Sequence, residues 1–521
     1  MRHQAWTLAF VTIAPVTWMV GQFLAILNRP PEWQIMDPTY TYLVNSVEVG
    51  QGLPAAHYQH PGFPVFWFLG PILRLAEGVS GGQGLNSALV LRTHFLFDVS
   101  SFALVALQVS ALIFASVVLA RRLSIVSALI FQALVLSLGA ASSDVGPLGM
   151  QAALALILIG LIGPLLTDAR TTIGTPRQIL IGIVLALAIL TKLTSLPLLF
   201  FISPLLGIRQ LVRVAAVTLI VGFVGTLGSV RGAAIDMAVF FARVLPTTGR
   251  RPDETDGSLL SGLATIPSNL ASVRLEMIVV IVCFVLIALR PPQPPFTRRP
   301  RYLVEGLTLG IAVAVLAGIK GFQPADFIAM VPPIAAVGAV TYHYVFSSLR
   351  ERSRRWVSVV STLIVIPVIA AALAEGIRNS TRDSLSMEKM NAVSYLEGRL
   401  RSGRPTITSG SIPTPATALF FGLGFSQRSF APELIEAYPG YLDFKMQNSL
   451  IYVFDESGEV EVTCQQLKKL ADTGDLEFIP GREMQLPINS SQYASIDLEV
   501  VQSIGGWDVY RVTSVSCPAV N

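Results

Sequence analysis

Apolar runs of about 20 residues recur from Trp6 to Ala374, each long enough to cross the ~30 Å hydrocarbon core of a bilayer. Inside lipid the backbone must satisfy its own hydrogen bonds, so such runs have to be helices. Composition agrees. Hydrophobic residues make up 52% of the chain and charged residues 13%, where a soluble domain carries about a quarter charged residues. The chain is read as a polytopic α-helical membrane protein. Trp6–Leu27 is long and no small-residue cleavage site follows it, so it is expected to act as a signal anchor.

Residues 375–521 break the pattern. They hold 12 Lys and Arg against 18 Asp and Glu, whereas the residues before them hold 25 against 15. Charge, proline-bounded turns and alternating apolar residues occur together there, as in a soluble domain of ordinary size. Ser449–Phe454 alternates as a strand does and Thr463–Thr473 has helical spacing. Leu498–Ser503 and Trp507–Thr513 flank Gly505 and Gly506 as the arms of a hairpin. The division is therefore a transmembrane domain over 1–374 and a mixed α/β domain over 375–521. No Walker, dinucleotide-binding or nucleophile-elbow motif is present, since Gly422 and Gly424 lack the strand–loop–helix context. The C-terminal domain is expected to shape an acceptor entrance and not to bind a nucleotide.

Lys and Arg flanking a span mark its cytoplasmic end. They cluster at Arg2, at Arg121 and Arg122, at Arg170 and Arg177, at Arg209 and Arg213, from Arg290 to Arg301, and from Arg350 to Arg355. Between them lie the apolar segments 6–27, 100–120, 123–141, 147–166, 178–191, 193–207, 214–230, 275–289, 303–318, 327–346 and 357–374. About eleven spans put every cluster inside and the C-terminal α/β domain on the extracytoplasmic side. The parity turns on Phe63–Ala76, which is apolar but short, holds Pro64 and Pro71, and includes Arg74. It is read as a juxtamembrane or re-entrant helix, because as a span it would invert every later cluster. The pair 178–191 and 193–207, with Lys192 between, fits either two half-buried helices or one kinked helix. On this topology the first loop 28–99, the Ser142-Ser143-Asp144 turn, Lys192, the loop 231–274 and the stretch Lys320–Asp326 share one extracytoplasmic face. The basic residues lie at membrane edges, which gives no support for a nucleic-acid partner.

Four stretches then occur in order: Asp37-Pro38-Thr39-Tyr40 with Asn45–Gly52 and His60-Pro61-Gly62-Phe63-Pro64; Leu119-Ala120-Arg121-Arg122-Leu123; Ser143-Asp144-Val145-Gly146-Pro147-Leu148; and Ile189-Leu190-Thr191-Lys192-Leu193-Thr194. Together they resemble the GT-C superfamily of integral membrane glycosyltransferases. The likeness is greatest to the bacterial branch of protein O-mannosyltransferases and aminoarabinose transferases, and covers residues 1–210. Pro38 departs from the pattern, because many members carry a second acidic residue there. The resemblance implies an enzyme of the bacterial inner membrane. It would move a sugar from a polyprenyl-phosphate donor to a lipid, glycan or protein acceptor on the outer face. Outside the cytoplasm no nucleotide-sugar pool exists, so the donor must be a lipid. Its phosphate leaves and needs cations, while the acceptor needs a base or hydrogen-bond partner.

The site follows residue by residue. Asp37 is the candidate base, although Asp before Pro is also a favoured helix start. Asp144 is the second catalytic candidate, or a cap for a helix beginning at Pro147. Paired carboxylates suit a divalent cation, which two Asp far apart in sequence do not establish, so the metal question stays open. Tyr40 and His60 are expected at the substrate. His57, His60 and Asp37 do not follow a zinc spacing. Lys192, with Thr191 and Thr194 beside it, is the candidate phosphate contact or else a snorkelling anchor. Lys320, Arg243, Arg250 and Arg251 are further phosphate candidates, and arginines in such a loop also suit lipid headgroups. Cys283 lies in a span and reads as an inert apolar residue, and Cys464 and Cys517 can pair in an oxidising compartment. The rivals are a transporter or flippase, disfavoured by the lack of an internal repeat, and a catalytically inactive scaffold of the same fold.

Overall fold

In the computed structural model the described residues are 2–28, 39–56, 62–82, 84–139, 145–167, 173–229, 271, 273–289, 299–317, 324–347, 370, 374, 387–409, 414–445, 450–455, 458–479, 495–504 and 507–517. The helices begin with α1 (Arg2–Asn28), α2 (Thr41–Gly50), α3 (Phe63–Val79), α4 (Leu85–Leu91), α5 (Thr93–Arg122) and α6 (Ile125–Ser137). They continue with α7 (Pro147–Thr167), α8 (Thr175–Thr191), α9 (Pro197–Ile202), α10 (Ile208–Ser229), α11 (Arg274–Leu289), α12 (Arg299–Ala317) and α13 (Val331–Ser347). After these come α14 (Met387–Arg401), α15 (Pro415–Leu423), α16 (Ala431–Ala437) and α17 (Cys464–Ala471). Two compact units emerge. One comprises Met1–Ile26, Tyr58–Phe68 and Ser101–Asn379; the other comprises Leu27–His57, Leu69–Ser100 and Ser380–Asn521.

The first unit is helical, and its helices lie on the apolar segments read from the sequence. Ala9–Leu27, Thr93–Arg122, Pro147–Leu166, Ile208–Gly228 and Phe327–Phe346 are long and apolar enough to cross a membrane. Shorter apolar helices cover Ile125–Ser137, Thr175–Thr191, Leu193–Leu205 and Tyr302–Val315. The expected segment 357–374 lies almost wholly outside the described residues.

Local chemistry sets the boundaries. Arg121 and Arg122 close the last turn of α5, where cations complement the helix dipole. Ser124 then caps α6, its hydroxyl accepting from the Ser127 N–H at 3.1 Å. Pro147 opens α7, a position where its missing N–H is not needed. Pro332 and Pro333 likewise open α13, which follows a 3-10 stretch over Pro324–Met330.

Packing inside this unit relies on close approach and on buried polar side chains. At Gly182 of α8, an added Cβ would lie 2.7 Å from Val217 Cβ and 3.0 Å from the Val214 carbonyl of α10. The Thr218 hydroxyl donates to the Gly182 carbonyl at 3.1 Å across the same contact. Gln132 of α6 is fully buried and donates to the Val11 carbonyl of α1 at 2.7 Å. Outward faces are apolar at helical spacing. They include Phe10, Ile13, Val20, Leu24 and Leu27 on α1, and Val212, Leu219, Ile220, Phe223 and Val224 on α10. Such bands suit lipid and not water, and the protein is integral to a membrane.

The second unit is built on strands β1 (Thr406–Ser409), β2 (Tyr441–Lys445), β3 (Leu450–Asp455), β4 (Gly458–Glu461), β5 (Glu477–Ile479), β6 (Ser495–Ile504) and β7 (Trp507–Ser516). They form one sheet in the order β4-β3-β2-β1-β5-β7-β6. β1 lies parallel to β2 and β5, with Ile407 opposite Leu442 and Phe478. The remaining pairs are antiparallel, and β6 and β7 form the hairpin expected around Gly505 and Gly506. The expected strand over 449–454 and helix over 463–473 are β3 and α17.

Ile407, Leu442, Ile451, Leu467, Leu476, Phe478 and Val512 form the core under the sheet. A disulfide joins Cys464, the first residue of α17, to Cys517 just past β7. Arg399 of α14 is buried. It bonds Glu477 at 3.0 Å, Asp475 at 3.2 Å and the Thr406 hydroxyl at 3.1 Å, while Tyr395 donates to Glu477 at 2.8 Å. This cluster pins α14 to β1 and β5.

The first loop contributes α2 and α4 to this same unit. One face of α2 is polar and buried: Thr41, Asn45 and Glu48 are all fully covered. Asn45 donates to the Phe425 carbonyl at 2.9 Å, and the Gln427 N–H donates to Glu48 Oε1 at 2.7 Å. From α4, Asn86 donates to the Ser429 carbonyl at 2.7 Å and accepts from Gln51 at 2.6 Å. The turn Phe425–Ser429 that receives these bonds holds Arg428 at φ 60°.

Candidate functional site

The Leu-Thr-Lys stretch is a broken helix end. α8 stops at Thr191, whose hydroxyl donates back to the Leu187 carbonyl at 2.8 Å. Lys192 is extended, with φ −161° and ψ 130°. A 3-10 turn over Leu193–Ser195 follows, closed by the Ser195 N–H bonding the Lys192 carbonyl at 2.9 Å. Pro197 then opens α9 and has no N–H to continue helical bonding backwards. The chain between 178 and 207 is therefore two helical pieces and not one kinked helix. The break leaves the Lys192 side chain half-buried at the turn.

A residue from another helix ties the turn. Gln151, one turn into α7, is fully buried. Its amide nitrogen donates to the Thr194 hydroxyl at 3.1 Å and to the Ser195 hydroxyl at 2.9 Å. Its carbonyl oxygen is buried with no hydrogen-bond partner among the described residues. The sequence reading passed over Gln151. The signal was present: α7 is apolar for twenty residues except at this position.

Tyr40 is the other candidate that is described. It is buried and meets Phe97 edge-on, with ring centroids 4.7 Å apart. Asp37, Asp144, His57, His60, Arg243, Arg250, Arg251 and Lys320 lie outside the described residues. Of the expected site, then, the described geometry brings together the Lys192 turn and the unforeseen Gln151. Among the described residues no group of three or more His, Cys, Asp or Glu is placed to hold a metal ion.

Glu48 was also missed. Its Oε1 accepts from the Gln427 N–H, and Oε2 has no partner among the described residues. Burial pushes its carboxyl up to about 7, with hydrogen bonds from the Gln427 and Ser429 backbone and the Ser429 hydroxyl opposing the rise.

No protein-family model and no curated protein matches the chain. Solved structures do. ArnT from Cupriavidus metallidurans in the apo state is 13% identical, with a TM-score of 0.52 over 99% of this chain and 100% of that one. The same ArnT bound to undecaprenyl phosphate gives 13% identity and a TM-score of 0.50 over 99% of both chains. The chain shares the fold of these ArnT structures. Archaeoglobus fulgidus oligosaccharyltransferase in complex with Zn and sulfate also matches, at 13% identity and a TM-score of 0.46, over 91% of this chain and 67% of that one. The sequence resemblance rested on residues 1–210, whereas the ArnT likeness runs through the later helices and the C-terminal sheet.

Proposed function

We propose that this protein is a glycosyltransferase that moves a sugar from a polyprenyl-phosphate donor to a hydroxyl or amine on the extracytoplasmic face. The observation that carries this reading is the end-to-end likeness to ArnT, a structure of which holds undecaprenyl phosphate. The bond from the sugar's C1 to the phosphate oxygen breaks as the acceptor's oxygen or nitrogen bonds C1 from the opposite face. The acceptor's proton goes to Asp37, and the carrier leaves as polyprenyl phosphate. Charge grows on the departing phosphate, so a cation there acts most strongly in the transition state. Lys192 supplies it, with Lys320, Arg243, Arg250 and Arg251 as further phosphate contacts. Asp144 shares the catalytic face, and Tyr40 and His60 belong to the substrate surround.

The topology that goes with this reading has eleven spans, with the sheet unit outside the cytoplasm. The Cys464–Cys517 disulfide supports that side, because such bonds persist in oxidising compartments. The test is Asp37→Asn in a deletion strain, read by glycolipid and cell-envelope glycan profiling. Loss of a glycan that the wild-type gene restores, with the variant still folded in the membrane, is the expected result. Full restoration by Asp37→Asn would make Asp37 a helix cap only, since Asn caps nearly as well.

A further inference from the structure

A membrane helix gains nothing in packing from a buried glutamine. In α7 a Leu or Met would fill the position of Gln151 without burying a carbonyl oxygen that has no partner among the described residues, and an unpaired buried polar atom is costly. What Gln151 does instead is bond both hydroxyls of one 3-10 turn, Thr194 at 3.1 Å and Ser195 at 2.9 Å. Those two residues complete the 3-10 turn that begins at Leu193, immediately after the extended Lys192. The same turn is closed on the lysine's own carbonyl by the Ser195 N–H at 2.9 Å. Fixing Thr194 and Ser195 therefore fixes where the Lys192 backbone ends α8 and the direction in which its side chain departs. A flexible lysine is a poor phosphate ligand unless its root is held, because ordering its long chain opposes binding.

We infer that Gln151 is a positioning residue that locks the 3-10 turn and thereby presents Lys192 to the phosphate of the lipid carrier. This rests on the reading of Lys192 given under the proposed function. Gln151 need not touch the carrier. Its action passes through the turn, which makes the inference separable from a general packing role.

The experiment is a double-mutant cycle on the full-length protein in detergent, with undecaprenyl phosphate as probe and undecaprenol as its phosphate-free control. Binding is measured by native mass spectrometry for the wild type, Gln151→Leu, Lys192→Met and the double variant. Gln151→Leu should weaken undecaprenyl phosphate binding about tenfold, the scale of one or two lost hydrogen bonds, and leave undecaprenol binding unchanged. In the Lys192→Met background it should have no further effect. Thr194→Val with Ser195→Ala removes the turn's half of the clamp. It should reproduce the single-variant phenotype, which keeps the test open if Gln151→Leu does not fold. An equal loss for both probes, or a tenfold loss that persists without Lys192, overturns the positioning role. A strong effect of Lys192→Met with none from Gln151→Leu overturns it while leaving the lysine's role intact. No effect of Lys192→Met on phosphate binding removes the lysine reading, and the positioning role with it.

Discussion

Glu48 is a fully buried carboxyl. Its described contacts are the N–H groups of Gln427 and Ser429 and the Ser429 hydroxyl. Burial outweighs them, and the folded carboxyl sits at about 7 against an ordinary 4.5. The sign of the linkage follows. The folded state prefers the neutral acid, so Glu48 contributes stability in full below pH 4.5 and loses it as pH rises toward 7. The amount is on the order of 3 kcal/mol. Glu48→Gln keeps an oxygen for the Gln427 N–H but cannot ionise. Its thermal midpoint should vary less between pH 5 and 8 than that of the wild type, and should exceed it at pH 8. Parallel pH profiles for the two proteins would show that Glu48 is not buried as described. The stripe Thr41, Asn45 and Glu48 was visible in the sequence at helical spacing, yet such a stripe ordinarily faces water. Only a partner 379 residues later buries it, and no local pattern pairs residues that far apart.

At the scale of elements, apolar length located most helices of the first unit, because in lipid a helix is nearly the only backbone solution. Boundaries were legible at Arg122 and Pro147, whereas the Ser124 cap of α6 was not read from the sequence. Packing was not legible, because it depends on which helices become neighbours. Gly182 and Gly222 look alike in the sequence, but the α8–α10 contact separates them. A Cβ on Gly182 meets Val217 at 2.7 Å, whereas one on Gly222 meets nothing within 4 Å. Gly182→Val should therefore destabilise the protein by about 1–3 kcal/mol through overpacking, lowering its thermal midpoint in detergent. Gly222→Ala removes a flexible residue from a helix and should be neutral or stabilising by about 0.5–1 kcal/mol. Equal effects from the two substitutions would mean that α8 and α10 do not approach at Gly182. The break at Lys192 belongs to this scale too. Length alone allowed one kinked helix, whereas the extended Lys192 and Pro197 divide the stretch into two pieces.

For the whole molecule, the side of the membrane each part occupies was read from Lys and Arg placement and from the shortness and prolines of Phe63–Ala76. The disulfide adds independent support. Cys464 and Cys517 are 53 residues apart in sequence with Cα atoms 5.7 Å apart, a proximity that spacing alone did not reveal. Closing a loop of that length is worth about 4 kcal/mol in a chain-entropy account. Cys517→Ser should thus lower the unfolding midpoint of the sheet unit, and reductant should lower the wild type's midpoint without affecting the variant. The topology has a sharper test. Glu459 on β4 and Arg122 at the end of α5 are both exposed, and eleven spans put them on opposite sides of the membrane. A membrane-impermeant maleimide applied to intact cells whose outer barrier has been opened should label Glu459→Cys at once. It should label Arg122→Cys only after lysis. The native cysteines give little background, since two are bonded and Cys283 is buried. The reverse pattern would invert the molecule and place the Lys192 turn in the cytoplasmic half. Labelling of both positions in intact cells would make the intervening number of crossings even, as it would be if α3 shifted the register by crossing and another segment did not. Only the predicted pattern keeps Asp37, Asp144 and Lys192 on the face where a lipid-linked sugar is the available donor.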